Sequence, residues 1–295
     1  MIYVDIIDSY PFRSCLEILV ALKESVTTAN MVFTKERITI YEFDANCTKS
    51  IKMVLRAEDI CIYDYDVRDV DGELLPSYAV EFNIEEILGY MKIDGKKDQF
   101  KFYITIDPLT RQNKGMSIIK TTSYEAISNI SAIMVSDSYT HNLVDHYENF
   151  YVGIPCECKM STSSLVSMTK MYVVKKGSLS KIVKRRADGS VWIAALDSTR
   201  QMARFGTTSI FHVESGPIDL EDTFCDGPFG TVRMINVDCI LFLSCKSLSL
   251  IQKCNKLSPS GLVKIYLEKD HPFVIVINIS NYGTCILSFS GDHSS

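Results

Sequence analysis

Short runs of β-branched and aromatic residues recur along the chain, often alternating with polar residues and bounded by turn-forming residues. This pattern is typical of antiparallel strands. The clearest predicted strands are 37–43, 50–55, 100–106, 190–196, 263–267 and 273–279. Extensive antiparallel sheet therefore dominates the predicted fold.

Four segments have helical periodicity instead, and strands follow each of them. They are 12–26, 83–92, 161–176 and 244–256. A predicted hairpin follows the first helix at 32–43, and another follows the third at 182–196, where Asp188-Gly189 favours a tight turn. Because matched elements are offset by about 150 residues, half the chain, two similar halves are the simplest account. We predict an α+β protein with domains 1–135 and 151–295, joined by a polar, acidic segment at 136–150.

Composition restricts the function without defining it. The 295 residues are 46% apolar, which is enough to build cores, and the formal net charge is −5. This charge argues against a protein that coats nucleic acid with its whole surface, but it leaves room for a local basic face. No run approaches the roughly 18 apolar residues of a membrane helix. We expect a soluble, unsecreted protein whose ten cysteines are reduced core thiols.

The positive charge is concentrated on two of the predicted helices. The segments 161–176 and 244–256 contain three lysines each and no acidic residue, whereas 12–26 is neutral and 83–92 carries −1. On helical spacing, one polar face combines Ser163, Ser167 and Lys170, and the other combines Lys246, Ser249 and Lys253. Such faces suit a phosphate backbone, which needs cations and small donors. An ordinary solvated helix face is the alternative.

Several segments, taken in order, resemble the proliferating cell nuclear antigen (PCNA) family of DNA sliding clamps. FRSCLEILVALKESV at 12–26 is similar to the family's first helix, and IKMVLRAE at 51–58 to a strand that follows Phe43-Asp44. Ala187-Asp188-Gly189 matches a family hairpin. Lys246 and Lys253 have the spacing of two basic residues on its last helix. The ending HPFVIVINISNYGTCILSF resembles the family's C-terminal strands. The resemblance covers most of the chain, in order rather than in any single motif.

The resemblance implies two domains of antiparallel sheet, each backed by two helices, with three chains closing a ring around double-stranded DNA. It also implies a DNA polymerase processivity factor that is not an enzyme and needs no cofactor or metal. Expected partners are DNA polymerase and other replication or repair proteins, which bind a groove through a peptide, and a clamp loader. We expect a homotrimer without membrane association. It would act in the nucleus or at another site of DNA replication, including a viral factory if the divergence reflects a large DNA virus.

Site residues carried over from the family form two sets. The resemblance places DNA contacts at Arg13, Lys23, Lys170, Lys175, Lys176, Lys246, Lys253 and Lys256. It places the partner-peptide groove at Phe43, Cys47, Thr48, Leu143, Val144, Tyr147, Pro272, Ser288 and Ser290. Subunit contacts are expected at edge strands near 124–135 and 204–213. Glu86 and Gly89 stand where the family has lysines, so a smaller DNA contribution is expected from the first half.

The sequence is also compatible with other functions. The same fold could serve as a monomeric processivity subunit or as one subunit of a heteromeric, checkpoint-type clamp. An enzyme would need paired carboxylates around a metal. The acidic segment 64–73 lacks calcium-loop spacing, and Cys156-x-Cys158 lacks a second ligand pair and fits strand alternation. Lys181, Lys184, Arg185 and Arg186 fit a solvated turn, a nuclear-import-like cluster or a phosphate-contacting cluster. Lys184 is a candidate for the modification that the family places at the position of Ala187. Trp192 is expected in the core.

Overall fold

A computed structural model describes most of the chain. The described residues are 1–7, 9–23, 28–91, 99–107, 113–121, 128–133, 135–137, 154, 156, 158–172, 179–185, 190–195, 201–205, 213–215, 224–227, 230–233, 237–258 and 261–290. The chain divides into two compact units. Unit 1 consists of Met1–Asp44, Ile51–Glu148 and Asn278–Cys285, and unit 2 consists of Ala45–Ser50, Asn149–Ile277 and Ile286–Ser295.

Strands and four α-helices make up the described fold. The helices are α1 (Ser9–Lys23), α2 (Ile84–Tyr90), α3 (Thr162–Lys170) and α4 (Cys245–Lys253), which a 3₁₀ turn, Cys254–Lys256, extends. The strands before residue 140 are β1 (Ile2–Ile6), β2 (Thr28–Phe33), β3 (Arg37–Phe43), β4 (Lys49–Arg56), β5 (Ile62–Tyr65), β6 (Tyr78–Asn83), β7 (Gln99–Ile106), β8 (Asn113–Thr121), β9 (Ser128–Ile133) and β10 (Val135–Asp137). The later strands are β11 (Cys158–Ser161), β12 (Leu179–Arg185), β13 (Val191–Ala195), β14 (Gln201–Arg204), β15 (Val213–Ser215), β16 (Phe224–Gly227), β17 (Gly230–Arg233), β18 (Val237–Ser244), β19 (Leu262–Tyr266), β20 (Phe273–Ile279) and β21 (Gly283–Phe289).

Unit 1 is built on two antiparallel sheets. One has the strand order β5-β1-β7-β8-β9, and the other contains the order β10-β6-β2-β3-β4. Strands β2 and β3 form the hairpin predicted at 32–43, and Met31 pairs with Ile40 in it. The core includes the stacked rings of Phe12 and Phe100, whose centroids are 5.9 Å apart.

Unit 2 has the same kind of construction. One sheet has the order β18-β12-β13-β14-β15, a second contains β20-β19-β11, and β16 pairs with β17. The hairpin of β12 and β13 pairs Val183 with Trp192, which is 1% exposed, so the predicted core position of Trp192 is confirmed. The turn residues 186–189 lie outside the described residues.

The order of elements shows a shorter repeat than the half-chain repeat expected from the sequence. A strand, a helix and three strands follow one another four times, beginning at β1, β6, β11 and β18. Within unit 1 helix α1 packs against α2, and within unit 2 helix α3 packs against α4. Unit 1 therefore contains the helices of the first two repeats as a packed pair, and unit 2 contains those of the last two.

Helix boundaries differ from the predictions in a systematic way. Three helices start one residue late because the first predicted residue is an N-cap, whose side chain accepts a hydrogen bond from a backbone N–H of the first turn. These bonds join Asn83 to Glu86 N at 3.0 Å, Ser161 to Ser164 N at 3.1 Å and Ser244 to Ser247 N at 3.3 Å. Helix α1 instead starts early, at Ser9, because the first turn of a helix tolerates Pro11, which lacks an N–H.

No helix among the described residues is long and apolar enough to cross a membrane.

Candidate nucleic-acid interface

Helix α3 of unit 2 buries one face and exposes the other. Leu165 and Met168 are completely buried, whereas Ser163, Ser167 and Lys170 are exposed. The two-sided pattern predicted from helical spacing is therefore confirmed. Ser161 caps the N-terminus of this helix and Lys170 lies in its last turn, where the helix dipole favours a cation.

Helix α4 has the same polarity. Leu248, Leu250 and Ile251 are buried, Ser249 is half-buried, and Lys246 and Lys253 are exposed. The following 3₁₀ turn adds the exposed Lys256. Because α3 and α4 pack against each other, unit 2 presents four exposed lysines on one helix pair, and neither helix contains an acidic residue. The faces can bind anions by charge and through small hydroxyl donors.

The helix pair of unit 1 has a different charge. Arg13 Nε lies 3.0 Å from Glu17 Oε1, and its Nη1 donates to Met91 O at 3.5 Å. On α2, Glu85 is exposed and Glu86 half-buried, and both lie in the first turn. Arg13 is therefore not the free cation that the resemblance suggests: its charge is compensated by an acid four residues along.

The remaining DNA-contact candidates are not placed. Lys23 is the last residue of α1, and its side chain lies outside the described part of the chain. Lys175 and Lys176 also lie outside the described residues. The structure thus places Lys170, Lys246, Lys253 and Lys256 on the helix pair and following turn of unit 2, and Arg13 in unit 1.

The candidate partner groove is only partly placed. In unit 2, Ser290 N donates to Thr48 O at 2.8 Å, which joins the chain just after β21 to the turn before β4. Cys47 in that turn is exposed and has a positive φ of 54°. Pro272 and Ser288 are half-buried in the same unit. In unit 1, the Phe43 ring packs edge-on against Tyr41 with centroids 4.8 Å apart, and Leu143, Val144 and Tyr147 lie outside the described residues.

The basic residues at the second hairpin are not all in a solvated turn, as one of the predictions had it. Lys181 and Lys184 are buried strand residues of β12, not parts of a solvated turn. Lys184 Nζ donates to Glu268 Oε2 at 2.8 Å and to Leu267 O at 3.2 Å. This hydrogen bond holds the pKa of the Glu268 carboxyl below its usual value. Lys184 is therefore a structural cation and not an accessible modification site. Burial could not be read from the sequence, because the partner lies 84 residues further along.

Two further motifs have local explanations. In the acidic segment, Asp69 Oδ1 accepts from Asp71 N at 3.0 Å and from Glu73 N at 2.9 Å, which closes a turn. Cys158 starts β11 but Cys156 precedes the strand, so strand alternation does not explain this pair; Cys156 Sγ donates to Cys158 O at 3.4 Å. Within the described ranges, no three His, Cys, Asp or Glu side chains group in a way that could hold a metal ion.

Two units of antiparallel sheet, each with a packed pair of helices, define an α+β fold of the sliding-clamp type. This fold is shared with the crystal structure of the PCNA2–PCNA3 complex from Sulfolobus tokodaii, with a TM-score of 0.64 and 12% sequence identity over 99% of this chain and 100% of that chain. The predicted fold class and the resemblance to PCNA are thereby confirmed at the level of the fold. Neither the protein-family models nor the curated protein sequences give a match. Nothing in these comparisons supports a viral source.

Proposed function

We propose that this protein is a sliding clamp, a DNA polymerase processivity factor that encircles duplex DNA and tethers replication and repair enzymes. The observation that carries the proposal is the set of exposed lysines on α3 and α4 in a chain whose net charge is −5. Lysines bind the phosphate backbone without reading sequence, which suits a protein that slides. A negatively charged remainder keeps DNA away from other surfaces.

The function requires no chemistry in the clamp itself. Tethering raises the effective concentration of a polymerase at the primer end, and the gain depends only on geometry. We infer no catalytic residue and no cofactor. In this proposal residues 1–135 and 151–295 are the clamp domains and 136–150 is the connecting loop. A partner peptide binds beside the Thr48–Ser290 contact, and the clamp loader and polymerase act at the site of DNA replication.

Ring closure would use sheet edges. Strand β9 lies at the edge of its sheet in unit 1, and β15 lies at the edge of its sheet in unit 2, among the described strands. Both fall in or beside the segments expected to join subunits, 124–135 and 204–213. An edge strand offers unpaired N–H and C=O groups to a second chain, and repeated head-to-tail pairing closes a ring if the rotation allows.

Light scattering after size-exclusion chromatography, over a concentration series, tests the ring. We expect a species near three times the chain mass of 33.3 kDa. A species that stays at the mass of one chain at every concentration would refute the homotrimeric ring. It would favour the second candidate, a monomeric or heteromeric clamp subunit, which the similarity to a complex of two different PCNA chains supports.

Duplex binding tests the lysine face separately. Replacing Lys170, Lys246 and Lys253 by Ala should weaken binding of a fluorescent duplex and flatten its salt dependence. The matched control replaces Lys159, Lys264 and Lys269, three exposed lysines of unit 2 outside the helices, and makes the same change in net charge. Equal effects of the two triple variants would mean that net charge alone governs binding and would contradict the proposed face.

A further inference from the structure

We propose that each chain contacts duplex DNA through the helix pair of unit 2 alone, and that the helix pair of unit 1 makes no phosphate contact. The inference rests on the proposed function and adds to it by stating which of the two helix pairs contacts DNA. Both units contain a packed pair of helices, but the exposed side chains of the two pairs differ.

The charges described on the helix pair of unit 1 explain why we propose no phosphate contact there. On α1, Arg13 is half-buried and already satisfied by Glu17 at 3.0 Å and by the carbonyl of Met91. A phosphate would have to displace a carboxylate that lies one helical turn away. On α2, Glu85 and Glu86 have no ion-pair partner among the described residues. They lie in the first turn, where the helix dipole favours negative charge, and these acidic side chains repel phosphate.

The second pair offers the opposite surface. Lys170 and Lys253 are exposed, and neither has an ion-pair partner in the part of the chain that the structure describes. Lys246 and Lys256 extend the same exposed faces. Ser163 and Ser167 expose hydroxyl groups on the same helix as Lys170. Four cations with no acidic residue on either helix can each neutralise a phosphate and release its counterion, which makes binding salt-dependent.

The experiment compares two matched triple variants of the full chain on one fluorescent duplex. One variant removes Lys170, Lys246 and Lys253. The other removes three cations of unit 1, namely Arg13 and Lys23 of α1 and Lys92, which follows α2 in the sequence, so both variants lose three positive charges. Apparent Kd is measured from 50 to 200 mM salt. Each lost phosphate contact should reduce the slope of log K against log salt by about 0.9. We expect the second-unit variant to lose about 2.7 from the slope for each bound chain, and the first-unit variant to keep the wild-type slope.

Each outcome has a distinct meaning. If the slope of log K against log salt falls as much in the first-unit variant as in the second-unit variant, the claim that only unit 2 contacts DNA is wrong. The clamp proposal itself is unaffected by that result. Wild-type protein that does not bind the duplex, or a second-unit variant that matches the Lys159, Lys264 and Lys269 control, overturns the proposed function itself. Because loss of Arg13 could disturb α1, a Lys23 and Lys92 double variant repeats the measurement with Arg13 intact. An unchanged slope in that variant supports the inference, and a slope reduced by about 1.8 refutes it.

Discussion

Gly283 at the start of β21 is a position where one added methyl group should destabilise the protein strongly. A Cβ added to Gly283 would lie 1.8 Å from Val54 O and 2.8 Å from Val54 C, both backbone atoms within unit 1. Backbone atoms cannot turn away as a flexible side chain can. The carbonyl oxygen of the preceding residue, Tyr282, accepts a hydrogen bond from Arg56 N at 2.8 Å, which holds the same two chain segments close together.

The cost of Gly283→Ala follows from this distance. Relieving the contact requires one segment to move by about 1.5 Å, and overpacking usually costs about 1–3 kcal/mol, more where the backbone must shift. Losing the Arg56–Tyr282 hydrogen bond adds about 1 kcal/mol. We expect a total loss of about 3 kcal/mol or more. For a chain of this size that lowers Tm by roughly 6–12 °C.

Thermal melting of Gly283→Ala, followed by circular dichroism, checks this expectation. Gly89→Ala is the matched control, since it adds the same methyl group to α2, where no atom lies within 4 Å of the new Cβ. Alanine is the better helix former, so the control should gain about 0.5–1 kcal/mol. A Gly283→Ala protein that melts within about 2 °C of wild type would refute the close approach of β21 to Val54.

Three further expectations concern charge and thiols. Glu268→Gln removes the carboxylate partner of Lys184. Because the pKa of Glu268 is lowered in the folded protein, this pair stabilises the fold above the usual carboxyl pKa, and the stabilisation is lost as pH falls. The variant should therefore lose about 1 kcal/mol of unfolding free energy at pH 7 and match wild type near pH 3 in melting experiments. Burial raises the pKa of the Cys285 thiol to about 12, so at pH 8 a thiol reagent should modify the exposed Cys47 at once and Cys285 only on unfolding, as mass spectrometry of quenched samples will show. Lys253→Ala removes an exposed cation from the last turn of α4, where the helix dipole favours it, so it should lower the free energy of unfolding by about 0.3–1 kcal/mol in urea titrations while weakening duplex binding.

The fold was largely predictable because its elements depend on local pattern. Strands β3 and β20 coincide with the predicted 37–43 and 273–279, since alternation, β-branching and flanking turn residues all act over a few positions. The exposed faces of α3 and α4 were predictable for the same reason. Helix starts were missed by a residue or more because a serine can cap a helix or begin it, and the choice depends on the backbone.

Features that depend on distant partners were not predictable. Lys184 was predicted in a basic turn, but it is buried. Its ammonium group donates to the Glu268 carboxylate and to the Leu267 carbonyl, which lie in the connection between β19 and β20. Arg13 looked like a free cation, yet the Glu17 carboxylate compensates it. The second case was within reach of the sequence, because arginine and glutamate four residues apart on a helix form a pair.

The helix dipole favours some of the charged residues on the helices and opposes others. Lys170 and Lys253 lie in last turns and Glu85 and Glu86 in a first turn, where the helix dipole favours each of them without any ligand. Lys246 is the second residue of α4, in the first turn, where the dipole opposes a cation. The helix dipole therefore does not explain a lysine at this position. Lys246 and Lys253 are both exposed on α4, and this exposure agrees with the proposed contact between unit 2 and DNA phosphates.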